Sequence, residues 1–455
     1  MTTSLFVRQH LHTLICLCAT ALALAACSSA QEQPAAPHTA MVTGAQGATM
    51  PQPTSVAPAS AASSDAVPAS APAPAAGARP CDAPATSTPA AAAKNIPAEW
   101  VTYSAGDNTI VVHAGANLTL ADAGHALGQP AALKEIRPGE WLLGANLEID
   151  KGATLQIGAP SVQRLKLRSD AGAFVWIKAL GGTLEFSGVC VTSWDTSRNA
   201  VDEQPNGGRS FVLARDGARM DIRDSELSYL GYDANESYGV AWRLQGTTGT
   251  AENSRFGYNW YGMYSYEASD LVIRGNEVHH SARYGIDPHT RSNHLTIENN
   301  VSHHNGKHGI ILAEDCSNSV IRNNVSYAND MHGIVIYLKS NNNVVENNTV
   351  YGNQWEGIDV NDSTGTAIRS NTVHDNGKAG IGVGQDSKDT TVIGNHITSN
   401  QEDGIAIYSD ASGTAVQGNV ISGNARYGIY VKSAGNDIAE DNKVTDNRVE
   451  NVKTS

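Results

Sequence analysis

A glycine followed by an aliphatic residue returns on a beat of 23 to 25 residues through the second half of this 455-residue chain. It falls at Gly239, Gly262, Gly285, Gly309, Gly333, Gly357, Gly380, Gly404 and Gly428. An Asn-x-Val/Ile step keeps the same beat at Asn276, Asn299, Asn323, Asn348, Asn371, Asn395, Asn419 and Asn442. A second asparagine column follows at Asn305, Asn329, Asn353, Asn376, Asn400, Asn424 and Asn447. One unit of this size cannot bury its own apolar face, so copies must stack into a solenoid. Runs such as Gly333-Ile334-Val335-Ile336-Tyr337 and Gly404-Ile405-Ala406-Ile407-Tyr408 alternate with period two, which argues for strands. No convincing amphipathic helix occurs between residues 220 and 450. About 24 residues suit one coil of three short strands and three turns. The expected fold is all-β, a right-handed parallel β-helix, that hand being favoured for parallel crossovers. Less regular alternation at Leu147-Glu148-Ile149, Leu155-Gln156-Ile157, Leu165-Lys166-Leu167 and Met220-Asp221-Ile222 places earlier, irregular coils over 97 to 235.

The repeat also assigns faces. With the glycine as origin, residues one and three are aliphatic in most coils and point inward, so residues two and four point outward. Neighbouring coils lie roughly 4.8 Å apart, and equivalent outward positions form columns. The fourth-position column is Arg243, Tyr266, His289, Ala313, Tyr337, Asn361, and the second is Ala241, Tyr264, Asp287, Ile311, Val335, Asp359. The residue before the glycine is Tyr238, Tyr261, Tyr284, His308, His332 and Glu356 in successive coils. These columns put tyrosines, histidines, an aspartate and an arginine on one strip, where aromatic faces suit stacking on sugar rings.

The N-terminus reads differently. Arg8, the apolar run Leu14 to Ala26 and Leu24-Ala25-Ala26-Cys27 form an export signal over 1–27, with Cys27 as the acylated residue of a lipoprotein. Residues 28–95, rich in Ala, Pro, Ser and Thr, form a flexible tether, and 96–455 hold the β-helix domain. This order implies a periplasmic protein anchored to a membrane by lipid, Ser28 fitting the outer one, with the extracellular face as the alternative. Cys81, Cys190 and Cys316 are too few and too widely spaced for a disulfide framework. The formal charge of −14 argues against nucleic-acid binding, yet a polyanion can still be held where cations gather in a groove.

The sharpest chemical element is Tyr284-Gly285-Ile286-Asp287-Pro288-His289. Proline fixes its own backbone angle and biases its predecessor to an extended one, so Asp287 and His289 project to the same side. A carboxylate beside an imidazole orients it and raises its basicity. His289 and Tyr284 then offer two proton-transfer groups to one substrate. Eight of the chain's 15 histidines fall between His279 and His332. The pairs 279/280 and 303/304 are expected at solvated turns, and with no recurring ligand spacing no metal site is expected.

Tyr-Gly-Ile-Asp-Pro-His-x-Arg-Ser, followed by Lys307-His308-Gly309-Ile310-Ile311, resembles the mannuronan (alginate) C5-epimerases, especially their periplasmic branch. Trp141-Leu142-Leu143-Gly144-Ala145-Asn146-Leu147, Tyr229-Leu230-Gly231-Tyr232, Ser237-Tyr238-Gly239 and Tyr264-Ser265-Tyr266-Glu267-Ala268 resemble that branch too. Asn323-Asn324-Val325-Ser326-Tyr327-Ala328-Asn329-Asp330, with His332-Gly333, is similar to the secreted branch. The resemblance implies a right-handed parallel β-helix that converts β-D-mannuronate to α-L-guluronate within the anionic polysaccharide alginate. It implies His289 and Tyr284 as acid/base pair and Asp287 as their polar support. It also implies a cation on the substrate carboxylate, and there the match departs. The arginine of the periplasmic branch falls on Glu314, that of the secreted branch on Met331, and the acidic fourth residue of the motif on Thr290. Lys307 is the first candidate to supply the charge and Arg291 the second. Arg243, Lys339, His308, His332, Tyr266 and Tyr337 complete the expected substrate-binding set. No cofactor is expected, with calcium as the open alternative: the secreted branch uses it, the periplasmic branch is not thought to require it, and the Gly-Gly-x-Gly-x-Asp nonapeptide is absent. Two alternatives share the first chemical step or the scaffold: a polyuronate lyase acting by β-elimination, and a non-catalytic carbohydrate-binding β-helix lipoprotein. Oligomeric state is not encoded in these motifs.

Overall fold

A computed structural model describes residues 81–82, 94–432 and 435–454. The signal over 1–27 with Cys27, and the 28–95 segment apart from residues 81–82 and 94–95, lie outside the described residues. Three long sheets, of 15, 13 and 16 strands, build the described residues. Each coil gives one strand to each sheet. The coil of the Asp-Pro-His step gives Ile286–His289 to the first, Thr296–Glu298 to the second and Val301–His303 to the third. Equivalent strands pair in parallel from coil to coil, as a parallel β-helix requires.

The interior follows the alternation. The first-position residues Ile286, Ile310, Ile334, Ile358, Ile381, Ile405 and Ile429 are all fully buried and stack one above another. Two asparagine ladders satisfy the polar groups at the corners. In one, Asn300 Nδ2 donates to Asn324 Oδ1 and Asn324 Nδ2 to Asn348 Oδ1, each at 3.0 Å. In the other, Asn305 Nδ2 donates to Asn329 Oδ1 and Asn329 Nδ2 to Asn353 Oδ1, each at 2.9 Å. The first ladder corrects the sequence column at two positions. Its members are Asn300 and Asn324, while Asn299 (φ 57°) and Asn323 (φ 55°) take the left-handed turn just before it. Asparagine suits both roles, so the sequence step does not tell the two neighbours apart.

The repeat glycines are required by close approach. A Cβ on Gly309 would lie 2.1 Å from Ser326 Oγ and 2.8 Å from the Gly333 carbonyl of the next coil. At the N-terminal end regular coils start only with the strands Asn146–Asp150, Thr154–Gly158 and Arg164–Asp170. Before them come the antiparallel pairs Val101–Ser104 with Thr109–Val112 and Leu133–Arg137 with Glu140–Leu143. Between these pairs lies a helix, Leu120–Leu127, which the coil-only reading of 97 to 235 does not contain. A Thr119/Asp122 capping box starts it, and Leu120 and Ala123 are buried in the core it covers.

The cysteine reading is also corrected. Cys81 and Cys190 form a disulfide with Cα atoms 4.9 Å apart, and Cys316 is buried and unpaired. A separation of 109 residues hides the pair from any spacing argument. Arg164 Nη2 donates to the Cys81 carbonyl at 2.6 Å, so this piece of the expected tether is fastened to the third sheet.

Candidate active site

The outer face of the first sheet carries the predicted columns. The register aligns Tyr264 with Asp287, and Tyr266 with His289, which in turn aligns with Ala313. Pro288 has no N–H to donate, and between Ile286–His289 and the next coil only Ile286 and His289 keep ladder partners. Positions predicted to point outward do so, but the second position is not solvated. Asp287, Ile311, Val335 and Asp359 are all buried, Asp287 completely. Ile311, Ala313 and Val335 form an apolar floor on which Tyr284 and Tyr337 pack. The covering rings come from neighbouring coils, which explains why alternation alone misplaces this column.

The residues before the glycines form a continuous stack. Ring centroids lie 4.9 Å apart from Tyr238 to Tyr261, 5.4 Å from Tyr261 to Tyr284, 5.2 Å from Tyr284 to His308 and 4.8 Å from His308 to His332. Tyr284 is half-buried and Lys307 Nζ donates to its hydroxyl at 3.1 Å. Burial first, then the nearby Asp287, pushes the Tyr284 phenol well up, so it rests protonated. Burial lowers Lys307, with Arg283 adding to it and Asp287 opposing.

His289 has a different partner from the one expected. Its Nδ1 lies 2.7 Å from Thr290 Oγ1, whose hydroxyl donates to Glu314 Oε2 at 2.9 Å. That hydroxyl has one proton, and Glu314 receives it, so Thr290 accepts from His289 Nδ1–H. The lone pair of this tautomer is on Nε2. The carboxylate that orients the imidazole is therefore Glu314, through Thr290, and not Asp287. Glu314 and Thr290 stand one coil apart, at 24 residues, where the resembled family carries an arginine and an acid. Asp287 itself has no hydrogen bond at either carboxyl oxygen. Burial pushes its acid far above the ordinary carboxylate range, Lys307 opposes this and Glu314 adds to it, so Asp287 rests neutral.

The remaining candidates divide. Lys307 and His308 join Tyr284 directly, and His332 follows as His308 Nδ1 meets His332 Nδ1 at 3.1 Å. His332 Nε2 then reaches Glu356 at 3.0 Å and Asp359 at 3.5 Å, carboxylates that the motif did not single out although their columns contain them. Burial, and then His332, lowers His308 far below the usual imidazole range. Arg291 is not beside Tyr284: its guanidinium is ion-paired to Glu267 at an exposed turn. Arg243 is buried under Tyr266, 4.8 Å from its ring, and donates to Asn235 Oδ1 at 2.7 Å. Tyr337 lines the floor and Lys339 is exposed at the following turn. Among the described residues no group of three or more His, Cys, Asp or Glu side chains is placed to hold a metal ion.

The sequence pattern of the family described as "Right handed beta helix region" matches residues 190–350 and 335–455. A mannuronan C5-epimerase of Pseudomonas aeruginosa is 31% identical over 211 residues, 44% of this chain and 38% of that protein. The mannuronan C5-epimerase AlgG of Azotobacter vinelandii is 31% identical over 211 residues, 43% of this chain and 39% of its own length. The chain thus spans about two fifths of the length of the curated relatives it matches. The crystal structure of a periplasmic alginate epimerase, AlgG, superposes with a TM-score of 0.68 at 24% identity, over 76% of this chain and 85% of that one. At that identity the likeness speaks for the fold.

Proposed function

This chain belongs to the right-handed β-helix family, and from that premise we propose that it is a polysaccharide C5-epimerase converting β-D-mannuronate to α-L-guluronate residues in alginate. The observation that carries the reading is the contact of Lys307 Nζ with Tyr284 Oη at 3.1 Å, on the same outer strip as His289. The names of the relatives, mannuronan C5-epimerase, supply the substrate class.

The chemical difficulty is the proton on carbon 5, which is weakly acidic because the adjacent carboxylate is already negative. Lys307 meets that carboxylate and stabilises the dianion as it forms. An ammonium has three N–H donors, so one bond to Tyr284 leaves capacity for the substrate. Asp287, buried beneath the strip as the neutral acid, puts no second negative charge beside the substrate. His289 Nε2 takes the carbon-5 proton from one face while the electron pair moves into the carboxylate carbon. Tyr284 Oη then gives its proton to carbon 5 from the opposite face. The resulting phenolate sits against the Lys307 ammonium, and solvent returns a proton to Tyr284 and takes one from His289. No cofactor enters this scheme, and chelator-treated enzyme is expected to keep full turnover.

Proton NMR of polymannuronate in deuterium oxide tests the reading. Guluronate signals should grow with deuterium at carbon 5 and without chain cleavage, and His289→Ala should slow them by about 10²- to 10⁴-fold, the usual worth of a general base. Unsaturated ends absorbing in the ultraviolet would make the chain a lyase, and binding without exchange would make it a carbohydrate-binding protein. We place the protein in the periplasm, lipid-anchored through Cys27. The Cys81–Cys190 disulfide and the relative described as periplasmic support that compartment. Loss of lipid labelling in Cys27→Ser checks the anchor.

A further inference from the structure

The histidine pairs expected at solvated turns are built differently, on the outer face of the third sheet. His279 ends the strand Glu277–His279 and His303 ends Val301–His303, and the register aligns the two. Both are buried, while His280 and His304 behind them are exposed. The second residue of each pair has φ 53°, which folds its ring back onto the first. Nδ1 then faces Nδ1 at 3.0 Å in the pair 279/280 and at 2.8 Å in the pair 303/304. The rings within each pair are nearly perpendicular, at 84° and 85°. His303 lies parallel on His279 with centroids 5.5 Å apart, and His304 on His280 at 5.2 Å. The same two-nitrogen unit is thus repeated one coil apart.

The spacing of those nitrogens is informative. At the usual metal–imidazole length of about 2.0–2.1 Å, two nitrogens 2.8–3.0 Å apart subtend roughly 90°, whereas a tetrahedral ion needs them near 3.3 Å. A right angle is a cis edge of a square-planar or octahedral ion, the geometry of Cu(II) and Ni(II), both of which suit imidazole. Glu277 adds a second observation. Its Oε1 lies 3.3 Å from His303 Nε2, and its Oε2 is ion-paired with Arg255, 3.2 Å from Nε. A carboxylate on the far nitrogen keeps the proton on Nε2, the outer support that ligating histidines commonly have, so His303 Nδ1 accepts from His304 Nδ1–H; an incoming ion takes both Nδ1 lone pairs as that proton moves to His304 Nε2. Tyr327, stacked on His303 at 4.8 Å and 9°, fixes the ring plane.

We propose that the two His-His steps form a binding site for a divalent transition-metal ion, Cu(II) or Ni(II). His303 and His304 are the primary chelate, and His279 and His280 repeat it one coil earlier. No three His, Cys, Asp or Glu side chains converge on one point among the described residues, so water completes the coordination of each ion. The site lies on a different sheet from His289 and Tyr284 and does not depend on the epimerase reading.

Tag-free protein, freed of metal with EDTA, is titrated with Cu(II) and with Ni(II) by calorimetry, and the Cu(II) form is examined by electron paramagnetic resonance. The double variant His280→Ala/His304→Ala removes only exposed rings and is expected to keep the native unfolding temperature. Native protein should bind at least tenfold more tightly than the double variant, with splitting from two nitrogens, and bound metal should raise its unfolding temperature alone. His289→Ala should bind as the native protein does. Equal affinity in native and double-variant protein, or a spectrum without nitrogen splitting, overturns the proposal.

Discussion

At the scale of single residues, the candidate site differs from the family it resembles by a linked pair of changes. Thr290 and Glu314 replace an acid and an arginine, and together they place a hydroxyl and a carboxylate behind His289 Nδ1. A carboxylate in that position favours the protonated imidazole. Glu314→Gln should therefore weaken His289 as the proposed base and move the acid limb of the kcat/KM profile to lower pH. The plateau rate should fall as well, because a weaker base abstracts more slowly. Thr290→Val should act in the same direction, while a profile that keeps its limb in both variants would leave the relay without a role. Asp287 makes a separate prediction about stability. Its folded-state acid is raised, so the native protein binds a proton that the unfolded chain releases above the ordinary carboxylate range. Stability is then lost as pH rises through that range toward the raised value. Asp287→Asn should raise the unfolding temperature at pH 7, the gain should vanish near pH 3, and epimerisation should slow. A gain that persists at pH 3 would mean that charge is not the cause.

At the scale of the coil, the contacts that matter join equivalent residues one repeat apart, so a periodic sequence shows them directly. The inward isoleucines, the second asparagine ladder and the outer columns through Tyr284 and His289 could all be placed by counting. Counting fails where two neighbours have the same side chain, as at Asn299 and Asn300, and where burial comes from another coil, as at Asp287 and His279. It also fails where the chain leaves the repeat, at the helix Leu120–Leu127 and the link from Cys81 to Cys190. The glycine column offers a test at this scale. Gly309→Ala forces a Cβ against Ser326, Asn329 and the Gly333 carbonyl, and overpacking of this kind costs about 1–3 kcal/mol or more. Gly352, at φ 63° with no contact nearer than 4.0 Å, needs only the left-handed conformation, and Gly352→Asn should cost much less. The two urea midpoints compare these costs within one solenoid, and equal losses would show that close approach is not what the repeat glycine serves.

For the whole molecule, charge and substrate oppose each other at long range. The chain has a formal charge of −14, and the proposed substrate has one carboxylate on every sugar. Attraction is expected only locally, on the outer strip where half-buried Lys307 contacts Tyr284. Exposed charges beyond a Debye length are screened, and that length shrinks from about 30 Å at 0.01 M salt to about 10 Å at 0.1 M. The repulsion between two polyanions belongs to the screened class, whereas a contact at about 3 Å lies within even the shorter length. Raising salt over this range should therefore lower KM for polymannuronate while leaving kcat nearly constant. Lys307→Met should raise KM and depress kcat at every salt concentration, because it removes the local contact and not the distant field. If KM for the native protein climbs steadily with salt instead, attraction by a broad cationic surface governs binding. The strip around Tyr284 would then not be where the polymer first meets the protein.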